Sequence, residues 1–357
     1  MRGKYNGRIL YLEILRIFAA LLVIFNHTDF RGFMLLWTSP YKSVDYFMCV
    51  VADIICLTAV EFYFMISGAV MLRREADSTK KYFGRILRYL VILIVFSVIY
   101  YLNLIVPQGI SFNVKNFALM IWDYSFSDHL WFLYAYIAIL IMMPFLQSMV
   151  KSLENRFFYV LIAAAVIFNI LLPCFQAIVL NNSHELSESL VPEIVASVIF
   201  YPCLGYFIEN RMTDEQIKKW ILPSWIAAVA ELALMTGVIT VLQGRQGEVV
   251  IPGLVKKPVF ICIAIMLSVK YLMEHTEVSD RWGKAICTVG SCTFGTYLIH
   301  MLFLDRAWMY AIPDLLNALG CPGLLSAAVY VIATFIVSGI VTWIVRKIPV
   351  IKKLVGG

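Results

Sequence analysis

The sequence predicts an all-α protein that crosses a membrane many times. Of its 357 residues, 61% are hydrophobic and only 15% are charged, and the mean hydropathy is +0.83. Soluble domains hold about half apolar residues and about a quarter charged ones. Apolar stretches long enough to cross a bilayer of about 30 Å recur along nearly the whole chain. We therefore expect one integral-membrane domain over residues 1–357.

About ten apolar stretches are long enough to span the bilayer as helices. They cover approximately residues 9–28, 47–72, 86–106, 130–150, 157–180, 190–208, 219–242, 251–273, 286–304 and 323–345. With the N-terminus inside, the inner connections hold 21 of the 29 Lys and Arg residues and the outer ones hold seven. This asymmetry predicts that both termini are cytoplasmic. The net charge of +6 follows from it and requires no nucleic-acid partner.

Two polar residues, Arg16 and His27, lie in the first apolar stretch, eleven residues apart. Along a helix, eleven residues return the chain to within about 20° of the same face, about 16 Å further on. Because a charge in hydrocarbon costs at least ~2.5 kcal/mol, an intramembrane Arg on the same face as a His suggests a functional site. In the alternative interpretation, Arg16 extends to the cytoplasmic interface and His27 simply ends the helix.

Three histidines, His27, His129 and His300, all fall toward the predicted outer side. Three imidazoles could bind zinc. However, the eight cysteines form no CxxC pair, and no HExxH, GxGxxG or GxxxxGK[ST] motif is present. We therefore predict no metal site, and we expect the spans that carry these histidines to surround one polar cavity.

Four sequence blocks carry a recognisable pattern. They are Tyr11–Ala20 with Arg16 and His27 as Arg-x10-His, Glu61–Gly68 in the second span, His129–Tyr134 in the fourth, and Gly295–His300 in the ninth; Arg85 and Arg88 begin the third span. With these blocks the whole chain resembles the acyltransferase-3 family of bacterial membrane proteins. Within it, the chain is similar to short members without a fused domain, such as the enterobacterial common antigen O-acetyltransferase and the membrane half of vancomycin-resistance serine racemases.

The resemblance implies a multi-pass enzyme of the bacterial cytoplasmic membrane that transfers an acyl group, commonly acetyl, from acyl-CoA to an extracytoplasmic sugar. It implies no permanently bound cofactor, and it leaves the oligomeric state open. The residues that it assigns are His27, Arg16 and Glu61 for catalysis, His129, Trp131, Tyr297, His300 and Ser67 for acceptor binding, and Arg16, Arg85 and Arg88 for donor binding.

The residue chemistry is compatible with these roles. A histidine titrates near neutral pH, so His27 can serve as the base that deprotonates a hydroxyl group or, alternatively, as a transient acyl carrier. Arg16 is always charged and forked, which suits phosphate binding or polarisation of a carbonyl group. Coenzyme A would then place its phosphates near Arg16 and its thioester near His27.

Other interpretations remain open at this stage. Glu61 could instead form a structural ion pair with Arg16. Ser67 and Gly68 are more typical of close helix packing than of a nucleophile. The whole protein could also be a transporter or export component for a surface polysaccharide without acyl transfer, or a sensor or racemase-type membrane domain.

Overall fold

The computed structural model describes residues 3–75, 78–123, 127–181, 187, 190–249, 251, 257–304 and 306–355. It is 81% helical with almost no strand, which confirms the all-α prediction. The strands found among the described residues form a hairpin in which β1 (Lys4–Tyr5) pairs antiparallel with β2 (Arg8–Ile9). This hairpin leads directly into the first helix.

The helices follow one another with short connections. They are α1 Leu10–Asn26, α2 Leu35–Thr38, α3 Val44–Cys56, α4 Ala59–Met71, α5 Thr79–Ile105, α6 Val114–Asp123, α7 Trp131–Ser152, α8 Asn155–Val166, α9 Leu172–Ile178, α10 Ser197–Asn210, α11 Asp214–Gln246, α12 Phe260–His275, α13 Asp280–Ile299, α14 Met301–Leu304, α15 Ala307–Ala318, α16 Gly323–Val345 and α17 Pro349–Val355.

Six helical segments of the described chain are long and apolar enough to cross a membrane. They are Val44–Met71, Thr79–Gln108, Asp128–Ser152, Asn155–Ile178, Asp214–Gln246 and Gly323–Val345. The other four predicted spans coincide with α1, α10, α12 and α13, and the first three of these have only 17, 14 and 16 residues. Residues 252–256 of the predicted eighth span lie outside the described residues. The number of ten spans therefore stays a prediction.

The chain forms two compact units. The first comprises Met1–Val70 and Leu153–Gly357, and the second comprises Met71–Ser152. In the first unit, α1 packs against α3, α12, α13 and α16. Its residues Leu10, Tyr11, Leu15 and Ala19 have no exposed surface. Helix α1, which carries Arg16 and His27, is thus enclosed by other helices of its unit.

In the second unit, α5 and α7 pack side by side. The Tyr82 hydroxyl donates to the carbonyl of Ile141 at 2.9 Å, and the Gln147 side chain donates to the carbonyl of Met71 at 2.9 Å. The rings of Tyr89 and Tyr136 lie 4.7 Å apart, centroid to centroid. These polar and aromatic contacts hold α7 against α5 and against the end of α4.

Two glycines let α4 and α10 meet at their backbones. A Cβ on Gly68 would overlap the carbonyl group of Pro202, and a Cβ on Gly205 would overlap that of Met65. Small residues at a helix crossing allow this closeness, and van der Waals contact then supplies the association energy that the hydrophobic effect does not supply within a bilayer. The packing role predicted for Gly68 agrees with this geometry.

A carboxylate from α11 caps the start of α12. Glu231, which is 3% exposed, accepts the backbone N–H of Val259 at 2.8 Å and that of Ile261 at 3.0 Å. The first N–H groups of a helix have no partner within it, and leaving them unpaired away from water is costly. The negative charge also suits the positive end of the helix dipole. Glu231 thereby allows α12 to begin beside the middle of α11.

We predict that Gly68→Ala destabilises the protein, because the added methyl group must push α4 and α10 apart at a backbone contact. Forced overpacking typically costs about 1–3 kcal/mol. The matched control is Gly237→Ala in α11, where a Cβ would meet no atom within 4 Å. Thermal unfolding of both variants in detergent compares them. A melting temperature lowered equally by both substitutions, or by neither, would contradict the backbone contact.

Candidate active site

A buried carboxylate joins two arginines at the start of α1. Glu13 Oε1 lies 2.6 Å from Arg16 Nη1 and 3.2 Å from Arg8 Nε. The Glu13 side chain is 3% exposed, whereas those of Arg8 and Arg16 are 31% and 27% exposed. Arg8 Nη1 also donates to the carbonyl of Cys287 at 2.9 Å, which connects the cluster to α13. The ion pairs neutralise part of the charge that Arg16 brings into an apolar bundle.

Glu13 is not among the predicted site residues. A signal was available, because Glu13 and Arg16 are spaced i, i+3 and so lie together on one helix face. The carboxylate also requires a glycine opposite, since a Cβ on Gly290 of α13 would overlap Glu13 Oε2. Among the described residues, Oε2 has no hydrogen-bond partner. Glu13 therefore fixes both the orientation of Arg16 and the close approach of α13.

His27 and His300 meet at the opposite end of α1. Their ring centroids are 5.3 Å apart with an interplanar angle of 61°. Nδ1 of His27 is 2.7 Å from the carbonyl oxygen of Val23, and Nδ1 of His300 is 2.7 Å from that of Tyr297. A carbonyl oxygen only accepts, so both Nδ1 atoms carry the hydrogen. In a neutral ring, Nε2 then holds the basic lone pair.

The structure places Tyr297 one turn before His300. Its side chain is buried, and its ring centroid lies 6.2 Å from that of His300.

Ser67 donates to the carbonyl of Tyr63 at 2.8 Å within its own helix. The Tyr63 hydroxyl in turn lies 3.5 Å from the carbonyl oxygen of Arg16, so α4 and α1 are in polar contact.

The suggested ion pair between Glu61 and Arg16 is absent from the described residues. Arg16 instead pairs with Glu13, and the buried Glu61 accepts a hydrogen bond from Ser197 at 3.3 Å. A carboxylate three residues away on the same helix reaches Arg16 without help from a second helix. The catalytic role predicted for Glu61 stays a prediction. Ser197 is the first residue of α10, and no motif in the sequence indicates its contact with Glu61.

The remaining predicted residues lie in the second unit. His129 is buried, with Nδ1 2.8 Å from Ser127 Oγ and its ring centroid 4.9 Å from that of Tyr100. Trp131, at the start of α7, is 41% exposed. Arg85 and Arg88 lie in the first turns of α5, at the i, i+3 spacing that places both on one face.

Of the spans expected to surround one polar cavity, the first and the ninth bring His27 and His300 together in the first unit. The cavity itself stays a prediction. Within the described ranges, no three His, Cys, Asp or Glu side chains are grouped so that they could hold a metal ion. The Nε2 lone pair of His27 can accept a proton and return it. The arginine pair can attract an anion at the other end of the same helix.

Comparison with family models identifies the chain. The model named Acyl_transf_3 and described as an acyltransferase domain matches residues 9–343. The chain belongs to the acyltransferase-3 family. Searches of curated proteins and of solved structures found no significant match. The matched range includes Arg16, His27 and His300, and family and fold together describe a multi-pass membrane acyltransferase.

We predict that Glu13→Gln destabilises this acyltransferase, because it leaves two guanidinium groups without their counter-charge. Breaking a fully buried pair costs about 3–5 kcal/mol. Partial exposure of both arginines reduces the expected loss to about 1–3 kcal/mol. The measurement is thermal unfolding in detergent.

The control for this variant is Glu154→Gln, which removes a carboxylate 3.1 Å from Arg156 where both side chains are well exposed. Exposed pairs contribute less than about 1 kcal/mol, so the control should unfold near the wild-type temperature. Equal melting temperatures for the Glu13 and Glu154 variants would show that the Glu13 cluster does not stabilise the fold.

Proposed function

We propose that the protein is an O-acetyltransferase that moves an acyl group from cytoplasmic acyl-CoA to a hydroxyl group of a cell-surface glycan or lipid-linked sugar precursor. The protein would lie in the bacterial cytoplasmic membrane and would modify surface polysaccharide. One observation supports this above all: the central helix of an acyltransferase domain carries a cationic cluster near its start and an imidazole pair at its end. A donor entering from inside and an acceptor from outside can meet along such a helix.

In this proposal His27 is the general base. Its Nδ1–H is held by the Val23 carbonyl, so Nε2 takes the proton of the acceptor hydroxyl while the hydroxyl oxygen attacks the thioester carbonyl carbon. The carbon–sulfur bond then breaks, and the proton passes from His27 to the departing thiolate. An ester and a free thiol result, and His27 regains its neutral form. The His300 ring, packed beside it, positions the base.

Arg16 is proposed to bind the donor. Among the described residues, only its Nη1 has a side-chain partner, Glu13. The other N–H groups of the fork remain able to hold a phosphate or the thioester oxygen. Arg85 and Arg88 would add charge for the phosphates of coenzyme A. His129, Trp131, Tyr297, His300 and Ser67 would contact the acceptor, and Glu61 would assist at the reaction centre.

We predict that His27→Gln lowers the turnover number by roughly 10²-fold or more and leaves donor binding almost unchanged. Loss of a positioned base typically has this effect. Thiol release from acetyl-CoA by the purified protein in the presence of a hydroxyl acceptor is the measurement. The matched control is His275→Gln, since His275 is exposed at the end of α12.

Three results would change this assignment. Acyl transfer at the wild-type rate by a folded His27→Gln protein would exclude His27 as the base. It would favour the alternative that the protein is a transporter or export component. A covalent acyl adduct on His27, trapped before acceptor is added, would make it the acyl carrier. Surface glycans of unchanged mass in cells with and without the gene would exclude a glycan acceptor.

For Arg16→Lys we predict partial activity with weakened donor binding, because Lys keeps the charge and loses the bidentate fork. We expect the KM for the donor to rise and kcat to change less. Arg156→Lys, at an exposed surface pair, is the matched control. An unchanged donor KM in a folded Arg16→Lys protein would oppose the donor-binding role, and a protein that no longer inserts would assign Arg16 a structural role.

A further inference from the structure

A basic cavity lies in the first unit, on the side that the charge asymmetry predicts to be cytoplasmic. Its volume is about 440 Å³. The N-terminal hairpin, the first half of α13, the end of α16 and α17 enclose it. Five cationic side chains line it: Arg8, Lys284, Arg346, Lys347 and Lys352. Residues from distant parts of the sequence thus direct positive charge into one space.

The positive charge in this cavity is mostly uncompensated. The described residues that line it include no carboxylate. Of the five cations, only Arg8 pairs with a carboxylate elsewhere in the described chain, namely Glu13. Arg346 Nη1 donates to Ser291 Oγ at 2.5 Å, and its buried Nε has no partner among the described residues. An anion in the cavity would be attracted by four cations that have no carboxylate partner among the described residues.

The cavity continues into an apolar groove between α13 and α16. The groove has a volume of about 350 Å³, and Thr288 and Trp343 line both spaces. Along it, Ile336 and Ile340 are 51% and 54% exposed. Both residues lie in a helix that is apolar and long enough to cross the membrane. Their outer surface therefore faces the predicted lipid.

Trp343 lies where the cationic cavity meets the apolar groove, and it is 48% exposed. The Lys347 ammonium lies 3.8 Å from its ring centroid. Tryptophan favours the depth where lipid headgroups meet hydrocarbon, and neighbouring basic residues attract anionic headgroups. The three features therefore follow the order of the parts of a lipid. The cationic cavity matches the headgroup, Trp343 matches the interface, and the apolar groove matches an acyl chain.

We propose that this composite site binds one anionic phospholipid of the inner leaflet, with its phosphate in the cationic cavity and one acyl chain in the α13–α16 groove. The phosphate end of a nucleotide would suit the cavity alone. It would leave the lipid-facing groove unused, and for this reason the observations favour the lipid. The site shares Arg8 with the Glu13 cluster but involves neither Arg16 nor His27, so lipid binding can be tested separately from acyl transfer.

The test is native mass spectrometry and thermal unfolding of the full chain in detergent with added phosphatidylglycerol, phosphatidylcholine or adenosine 3′,5′-bisphosphate. We expect one retained phosphatidylglycerol and a saturable rise in melting temperature with that lipid alone. A double variant, Lys347→Gln with Lys352→Gln, should weaken phosphatidylglycerol binding by roughly fivefold for each charge that is removed. This factor is equivalent to the ~1 kcal/mol that one basic residue contributes at an anionic surface. Lys218→Gln with Lys219→Gln, exposed on α11, is the matched control.

A second variant tests the groove without altering charge. Gly339 lines the groove, and the nearest atom to a Cβ placed there is 3.8 Å away, so Gly339→Leu should fill the groove and weaken lipid retention while the fold persists. Three results would overturn the proposal: equal binding of phosphatidylcholine, equal loss in both double-lysine variants, or displacement of phosphatidylglycerol by adenosine 3′,5′-bisphosphate. The last result would identify the cavity as a nucleotide site.

Discussion

The buried carboxylate of Glu13 is the constraint on which the first unit depends. A bilayer excludes lone charges, so Arg16 can remain within an apolar bundle only because a counter-charge lies three residues before it. That carboxylate needs space on α13, and Gly290 provides it. The start of α1 is then held close to the middle of α13, and the two helices also meet at their ends, where His27 lies beside His300. One ion pair thus helps to set the register of both helices.

The parts of the fold that the sequence predicted are those governed by local rules. Apolar length and composition predicted the helices, and the Arg-x10-His spacing with its accompanying blocks predicted the family. The role of Gly68 was foreseen because small residues are the usual means of close helix approach. The alternative ion pair of Arg16 with Glu61 is not found, because Glu13 lies within reach of Arg16 on the same helix. Ser197 and Gly290 could not be foreseen, since each matters only through a neighbour distant in sequence.

The two histidines obtain their tautomers from their positions at helix ends. The last carbonyl groups of a helix lack partners within it, and each histidine donates Nδ1–H to a carbonyl three or four residues earlier. A carboxylate often performs this orienting role for a histidine. Here the backbone performs it, and no additional charge has to be buried. Such an arrangement suits a proton-transfer site inside a membrane, where an extra carboxylate would need a counter-charge of its own.

The cap that Glu231 places on α12 bears on how the protein is inserted during synthesis. At 1.5 Å per residue, the 16 residues of α12 extend about 24 Å, less than the hydrocarbon thickness of about 30 Å. Alone in lipid, α12 would expose unpaired N–H groups at its start. Helix α11 leaves the ribosome first and already carries the carboxylate that satisfies them. The order of translation therefore supplies the carboxylate before the helix whose N–H groups need it.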